Sequence, residues 1–289
     1  MIPVQVIDAR HVVINGPTDP TVPRTGNATY AVVDLPALRY HWFQVPQVPA
    51  KSSAFIAVGP KLDQVLWLTT NQAGTQNEVH ISTRTGDHLV ATLPDELNGI
   101  CGDYGSKSGA YTPSGEHLFV LNQPHANALN SLLVIQGQTP VFSLVPPPAG
   151  WGPDANPTMA VWSPVTETLF YLRGNDVWKW TPVSKPQRFL AGVNWSHPTI
   201  TPDGAHLAYE VFPGNVYLVD LVHGGRPELV GKGRIAPVFL NSSQLWTTQP
   251  IGCTGSQPTP LIYNVDTRTQ APTIIDSVFG VWPATSSNW

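Results

Sequence analysis

The chain has 289 residues, of which 42% are hydrophobic and only 12% charged, with 30 prolines, 24 glycines and ten tryptophans. That supply of apolar side chain supports a large buried core and excludes an intrinsically disordered chain despite the proline content. The net charge of −4 gives no general attraction to nucleic acid or anionic lipid, and no apolar run approaches the roughly 18 residues of a membrane span, so neither nucleic acid nor direct membrane insertion is expected.

The first residues, Met1-Ile2-Pro3-Val4-Gln5-Val6, lack a basic start followed by an apolar stretch, so a signal sequence is not expected in this chain. Low lysine content and abundant Ser, Thr, Asn, Gln and Trp nevertheless point to an extracytoplasmic setting, whether periplasmic, secreted or at the cell surface. Three strands are predicted early, at His11 to Asn15, Tyr30 to Leu35 and Tyr40 to Val45. Beyond them the chain repeats itself. Thr112-Pro113-Ser114-Gly115-Glu116-His117-Leu118-Phe119-Val120 aligns with Thr201-Pro202-Asp203-Gly204-Ala205-His206-Leu207-Ala208-Tyr209, and Ser163 to Tyr171 fits the same frame without the glycine. Each copy reads as a strand ending at Pro, a tight turn and a second alternating strand.

Third strands follow at Glu78 to Ser82, Ser131 to Ile135, Asp176 to Trp180, Asn215 to Leu221 and Leu261 to Val265, with fourth strands at His88 to Leu93, Val141 to Val145, Gln187 to Leu190, Glu228 to Val230 and Pro272 to Ile275. Four short strands recurring every 40 to 50 residues or so, with no long amphipathic helix, predict an all-β propeller. Five blades run at about 50–93, 108–146, 158–191, 196–231 and 236–275. A carboxy-terminal strand within 277–285, which includes Phe279-Gly280-Val281-Trp282-Pro283 in part, is expected to join the three amino-terminal strands of 1–46. That closes a six-bladed, single-domain ring of four-stranded antiparallel blades and removes exposed sheet edges.

The Thr-Pro-Asp-Gly turn at 201–204, the apolar strand after it and Val216-Tyr217-Leu218-Val219-Asp220-Leu221 resemble the repeat of TolB-type bacterial propellers. The resemblance implies a fold and no particular activity, since such propellers serve as scaffolds, peptidase gates, sensor domains and enzymes.

In this topology the connections between first and second strands share one face and are short. The long, mutually unlike connections at 94–107, 122–130, 146–157, 191–196 and 249–260 share the other, upper face, where a site is expected at the mouth of the central channel. Lys51, Lys107, His197 and Arg234 lead into first strands from that face. They would form a partial ring of positive charge able to focus an anionic ligand, unless Asp95, Glu96, Asp103 and Asp154 neutralise them. Trp151, Trp195 and Tyr104 would offer flat rings to a sugar or peptide, although packing is the favoured role for Trp195, as for Trp162, Trp178, Trp180 and Trp246.

No Gly-x-Ser-x-Gly, His-Glu-x-x-His, phosphate-loop or Cys-x-x-Cys motif occurs. The best scattered metal ligands are His125, His197 and Asp103, with Asp154 as a fourth, but nine histidines demand no metal, and no cofactor or metal is expected. His80, His88, His117 and His206 read as structural. Cys101 and Cys253 fall in upper-face loops of opposite blades, so a disulfide between them requires both loops to lean over the mouth. The leading expectation is a non-catalytic binding or scaffold propeller that recognises a protein, peptide or glycan. The alternatives are a lyase or hydrolase acting on an anionic saccharide, with His125 or His197 as base and Lys107 or Arg234 as charge stabiliser, and a sensor or gating domain of a larger chain.

Overall fold

A computed structural model describes residues 2–6, 11–15, 29–34, 37, 39–44, 52–70, 76–83, 85–94, 107–122, 130–145, 157–163, 165–249 and 260–273. Among them every regular element is a β-strand, and consecutive strands build six four-stranded antiparallel sheets. The first sheet holds β1 (Ile2–Val6), β2 (His11–Asn15), β3 (Thr29–Asp34) and β4 (Arg39–Gln44); the second β5 (Ser52–Val58), β6 (Gln64–Thr70), β7 (Gln76–Thr83) and β8 (Gly86–Pro94). The third holds β9 (Lys107–Tyr111), β10 (His117–Asn122), β11 (Ser131–Gln136) and β12 (Thr139–Leu144); the fourth β13 (Pro157–Trp162), β14 (Leu169–Arg173), β15 (Asp176–Thr181) and β16 (Ser184–Leu190). The fifth holds β17 (Trp195–Ile200), β18 (His206–Val211), β19 (Asn215–Asp220) and β20 (Glu228–Lys232), and the sixth β21 (Ile235–Phe239), β22 (Gln244–Thr248), β23 (Leu261–Asn264) and β24 (Thr269–Pro272). The chain divides into two compact units, one with the first three sheets and one with the last three.

The first sheet corrects one expectation. Its fourth strand is β1, paired antiparallel with β2 from Ile2 opposite Asn15 to Val6 opposite Val12. The carboxy-terminal segment 277–285, expected in that place, lies outside the described residues. A strand that folds back over a short connection closes a far smaller loop than one recruited from the other end of the chain, and so loses less entropy.

Alternating side chains join neighbouring sheets within each unit. In the first unit Leu66, Leu68, Val79 and Ile81 of the second sheet pack with Leu118, Val120, Leu133 and Ile135 of the third. In the second unit β18 feeds two cores: Leu207 and Tyr209 enter the one shared with the fourth sheet, and Ala208 the one shared with the sixth. The outermost strands β12, β16 and β24 carry Pro140, Pro186 and Pro272, which cannot donate to an added strand.

The turn between first and second strands explains the repeated motif. Thr201 N–H donates to His206 O (2.9 Å) and Gly204 N–H to Thr201 O (2.8 Å), with Gly204 at φ +72°. The third sheet repeats this through Thr112, His117 and Gly115 at φ +75°. Proline presets the backbone, glycine accepts the left-handed conformation, and the threonine hydroxyl accepts the N–H of His206 (2.9 Å) or His117 (3.2 Å). A further copy occurs in the second sheet, where Gly59 N–H donates to Gln64 O and Leu62 N–H to Gly59 O, both at 2.9 Å, with Leu62 at φ +59°. At Gly204 a Cβ would also sit 3.2 Å from Ser163 Oγ and Val165 Cβ, on the matching turn of the fourth sheet.

At the turn after β19, Asp220 Oδ1 accepts the N–H groups of Val222 (2.9 Å) and His223 (2.8 Å), and Oδ2 accepts His223 Nδ1 (2.7 Å). These bonds, the His223 backbone N–H foremost, hold the Asp220 carboxyl at about 2.

Two stability measurements follow from these turns. Gly204→Ala should lower the unfolding free energy in urea by about 1–2 kcal/mol, while Leu62→Gly should raise it by about 0.5 kcal/mol, strain relief exceeding the added freedom of the unfolded chain. Because its folded value is depressed, Asp220 contributes stability that is complete above the ordinary carboxylate range and is lost as pH falls from about 4 toward about 2. An Asp220→Asn variant should therefore show a shallower loss of stability across that window in acid titrations.

Candidate functional site

The first strands of the second unit share one irregularity. In β13, β17 and β21, which lie side by side, the ladder slips between Thr158 and Ala160, between Ser196 and Thr199, and between Ile235 and Val238. A left-handed residue stands at each slip: Met159 at φ +46°, His197 at φ +49° and Ala236 at φ +53°. None is glycine. Such a residue costs on the order of 1–3 kcal/mol and persists only where the surroundings hold it, and a bulge of this kind re-aims a side chain.

Glu210 supplies the hold at two of the three. It stands on β18 opposite Ser196, 7% exposed. Its Oε2 accepts a hydrogen bond from His197 Nδ1 at 2.9 Å and another from the Ala236 N–H at 3.0 Å. One buried carboxylate oxygen thus ties the bulge of the fifth sheet to that of the sixth. A carboxylate is tolerated at such depth because charge-assisted hydrogen bonds replace its water. The matching place in the fourth sheet, opposite Thr158, is occupied by Leu172, which packs in the core.

The imidazole of His197 is partly exposed, at 31% of its side chain. The contact of Nδ1 with the Glu210 carboxylate fixes the ring plane of His197. Close by in the chain fold, the upper turn of the fifth sheet is Phe212-Pro213-Gly214. Gly214 N–H donates to Val211 O (3.1 Å), and Gly214 O accepts the Arg234 N–H (3.0 Å). Gly231 lets Arg234 lie against β20, since a Cβ there would stand 3.0 Å from Arg234 Cβ and Cγ. Partial burial lowers the pKa of the Arg234 guanidinium from its ordinary value.

Of the expected ligand residues, His197 is tied to Ala236 of the sixth sheet through Glu210, and Arg234 to Gly214 of the fifth through its N–H. Trp195 does not serve as a stacking surface. It is 2% exposed and packs on Tyr209 at 5.8 Å between ring centroids, because as the first residue of β17 it points into the core shared with the fourth sheet. Lys107 opens β9, and its side chain lies outside the described residues. Lys51, Asp103, Tyr104, His125, Trp151, Cys101 and Cys253 also lie outside the described residues, as do Asp95, Glu96 and Asp154.

Trp162, Trp180 and Trp246 are buried, and Trp178 lies under the Arg173 guanidinium at 5.7 Å. His80 is structural: it stacks on Trp67 at 4.3 Å, with Nδ1 2.7 Å from Asp87 and Nε2 3.4 Å from Glu78. Glu210 is the residue that sequence reasoning missed. The available signal was a carboxylate inside an otherwise apolar strand, Leu207-Ala208-Tyr209-Glu210-Val211.

The chain matches no protein-family model and no curated protein. Solved structures do resemble it. A prolyl endopeptidase aligns with 94% of this chain at 13% identity and a TM-score of 0.62, although the chain spans only 41% of that protein. An oligogalacturonate lyase from Vibrio parahaemolyticus aligns at 10% identity and 0.56, over 94% of this chain and 76% of that one. The β-propeller domain of the trilobed protease from Pyrococcus furiosus aligns at 10% identity and 0.53, over 94% and 83%. The chain folds as a six-bladed β-propeller. Its six sheets are the blades, and likeness at such low identity establishes this architecture alone.

Removing the carboxylate tests the clamp within this propeller. Glu210→Leu, which leaves the partly buried Ala236 N–H without its carboxylate acceptor, should destabilise the protein by about 2 kcal/mol, and Glu210→Gln, which keeps an acceptor oxygen, by less. Calorimetric unfolding of the two variants beside wild type reads the difference.

Proposed function

We propose that this propeller is an extracytoplasmic binding module of the TolB type that recognises a protein, peptide or glycan at the upper end of its fifth and sixth blades. The observation that carries this reading is the Glu210 clamp. A strained, non-glycine bulge is held by a buried carboxylate so that a partly exposed imidazole stands in one orientation, with Arg234 two residues from the second clamped backbone N–H. Strain maintained in this way is characteristic of ligand sites on rigid scaffolds, where a fixed side chain loses little entropy on binding.

A second reading is a lyase or hydrolase acting on an anionic saccharide, with His197 as base and Arg234 as stabiliser of developing charge. The His197–Glu210 pair favours it, because an imidazole oriented by a carboxylate is the arrangement general-base chemistry uses. The likeness to an oligogalacturonate lyase supports the same direction.

Thermal unfolding against panels of peptides and neutral and acidic oligosaccharides tests the proposal. A ligand at 100 times its dissociation constant stabilises the native state by about 2.7 kcal/mol, and His197→Ala or Arg234→Ala should abolish that shift. Stabilisation that persists in both variants would contradict the assigned site. Turnover of a stabilising saccharide, lost in His197→Ala, would establish the second reading instead.

A further inference from the structure

We infer that a depression between the lower turns of the second and third blades binds a small zwitterion, a free α-amino acid, with Asp63 meeting its ammonium group, Lys61 its carboxylate and Tyr111 offering it a neutral hydroxyl. The depression measures about 270 Å³ with its open mouth included, and Gly59, Pro60, Lys61, Asp63, Tyr111 and Gly115 are among the residues that line it. It belongs to the first unit, whereas His197 and Glu210 belong to the second. Two glycines let its walls meet: a Cβ on Gly115, at φ +75°, would stand 3.1 Å from Pro60 Cγ, and one on Gly59 would stand 3.6 Å from Tyr111 Cε1. The walls are held by backbone hydrogen bonds, Gly59 N–H to Gln64 O and Gly115 N–H to Thr112 O, both at 2.9 Å, so a ligand does not have to order them.

Tyr111 sets this place apart. In the aligned repeats Thr112 corresponds to Thr201, so Tyr111 corresponds to Ile200, which packs against the core between the fourth and fifth blades. A seam of this kind closes with an aliphatic side chain, and the tyrosine adds a polar group to it. Its hydroxyl oxygen is buried and has no hydrogen-bond partner among the described residues, a state that buried polar groups avoid. Burial foremost, and then the nearby Asp63 carboxylate, push its pKa up, so it stays a neutral O–H that can donate to a carboxylate or accept from an ammonium group. Lys61 and Asp63 are exposed on either side of the left-handed Leu62, and neither is in an ion pair among the described residues. An isolated cation would meet Asp63 but be repelled by Lys61, and an isolated anion the reverse, whereas a molecule with both charges a few bonds apart meets both. Size points the same way, since the space falls below the roughly 300–1,000 Å³ of pockets for drug-sized ligands.

Titration of the full chain with glycine, methylammonium chloride and sodium acetate, followed by the amide NMR signals, tests this. Glycine should shift the Gly59 and Gly115 signals saturably, and each single ion should bind about tenfold more weakly. Asp63→Asn and Lys61→Gln should each weaken glycine binding about tenfold at unchanged melting temperature, since both side chains are exposed. Tyr111→Phe should weaken it several-fold without lowering the melting temperature, because the hydroxyl makes no hydrogen bond within the fold. A lower melting temperature in Tyr111→Phe with glycine binding unchanged would make the hydroxyl structural and overturn the assignment. The absence of a saturable shift with glycine, equal binding of acetate or methylammonium, or binding indifferent to Asp63→Asn and Lys61→Gln would each overturn it as well.

Discussion

Leu207 to Glu210 of strand β18 are all buried, and much of the second unit follows from that constraint. Leu207 and Tyr209 fill the space toward the fourth blade and Ala208 the space toward the sixth, so the carboxylate among them must find its partners inside the protein. Glu210 does so by accepting the imidazole of its own blade and a backbone N–H of the next. The result links packing to function in one step. An apolar residue in its place would leave the neighbouring bulge held by packing alone, as Leu172 does in the fourth blade.

Left-handed residues in this fold serve two purposes. In the lower turns they reverse the chain, and glycine is used where the turn also touches a neighbour, as Gly204 does at Ser163. In the first strands of the second unit they displace one residue from the ladder, and there the positions are Met159, His197 and Ala236. A side chain is kept at those places despite the backbone cost, and at His197 that side chain is anchored. Across the first strands of the second unit the bulge repeats and the residue it presents differs.

Much of the architecture was legible because each strand and turn leaves a local mark. Third strands expected at Ser131 to Ile135 and Asp176 to Trp180 appear as Ser131–Gln136 and Asp176–Thr181, since their alternation is bounded by turn residues on both sides. The copy of the turn at Gly59 to Gln64 was hidden because Leu62 occupies the place where glycine marks the others. Strand β1 was overlooked because five residues with a proline carry little alternation, and its pairing is set by proximity to β2. Of the proposed site, His197 and Arg234 were expected from their place at the entry to first strands. Glu210 was not, because its role depends on a contact between blades that no local pattern encodes. Trp195, offered as a ligand surface with packing as its favoured role, is buried against Tyr209 of the next strand.

The account stands on His197 being both fixed by Glu210 and exposed to ligand. Nitrogen-15 spectra of the histidine rings, recorded while a ligand that stabilises the native protein is added, examine both at once. The account predicts that, of the nine histidines, His197 shows a hydrogen-bearing Nδ1 in the free protein and the largest ring shifts on titration. A His197 ring protonated only at Nε2, or one whose signals stay in place while other histidines respond, would contradict it.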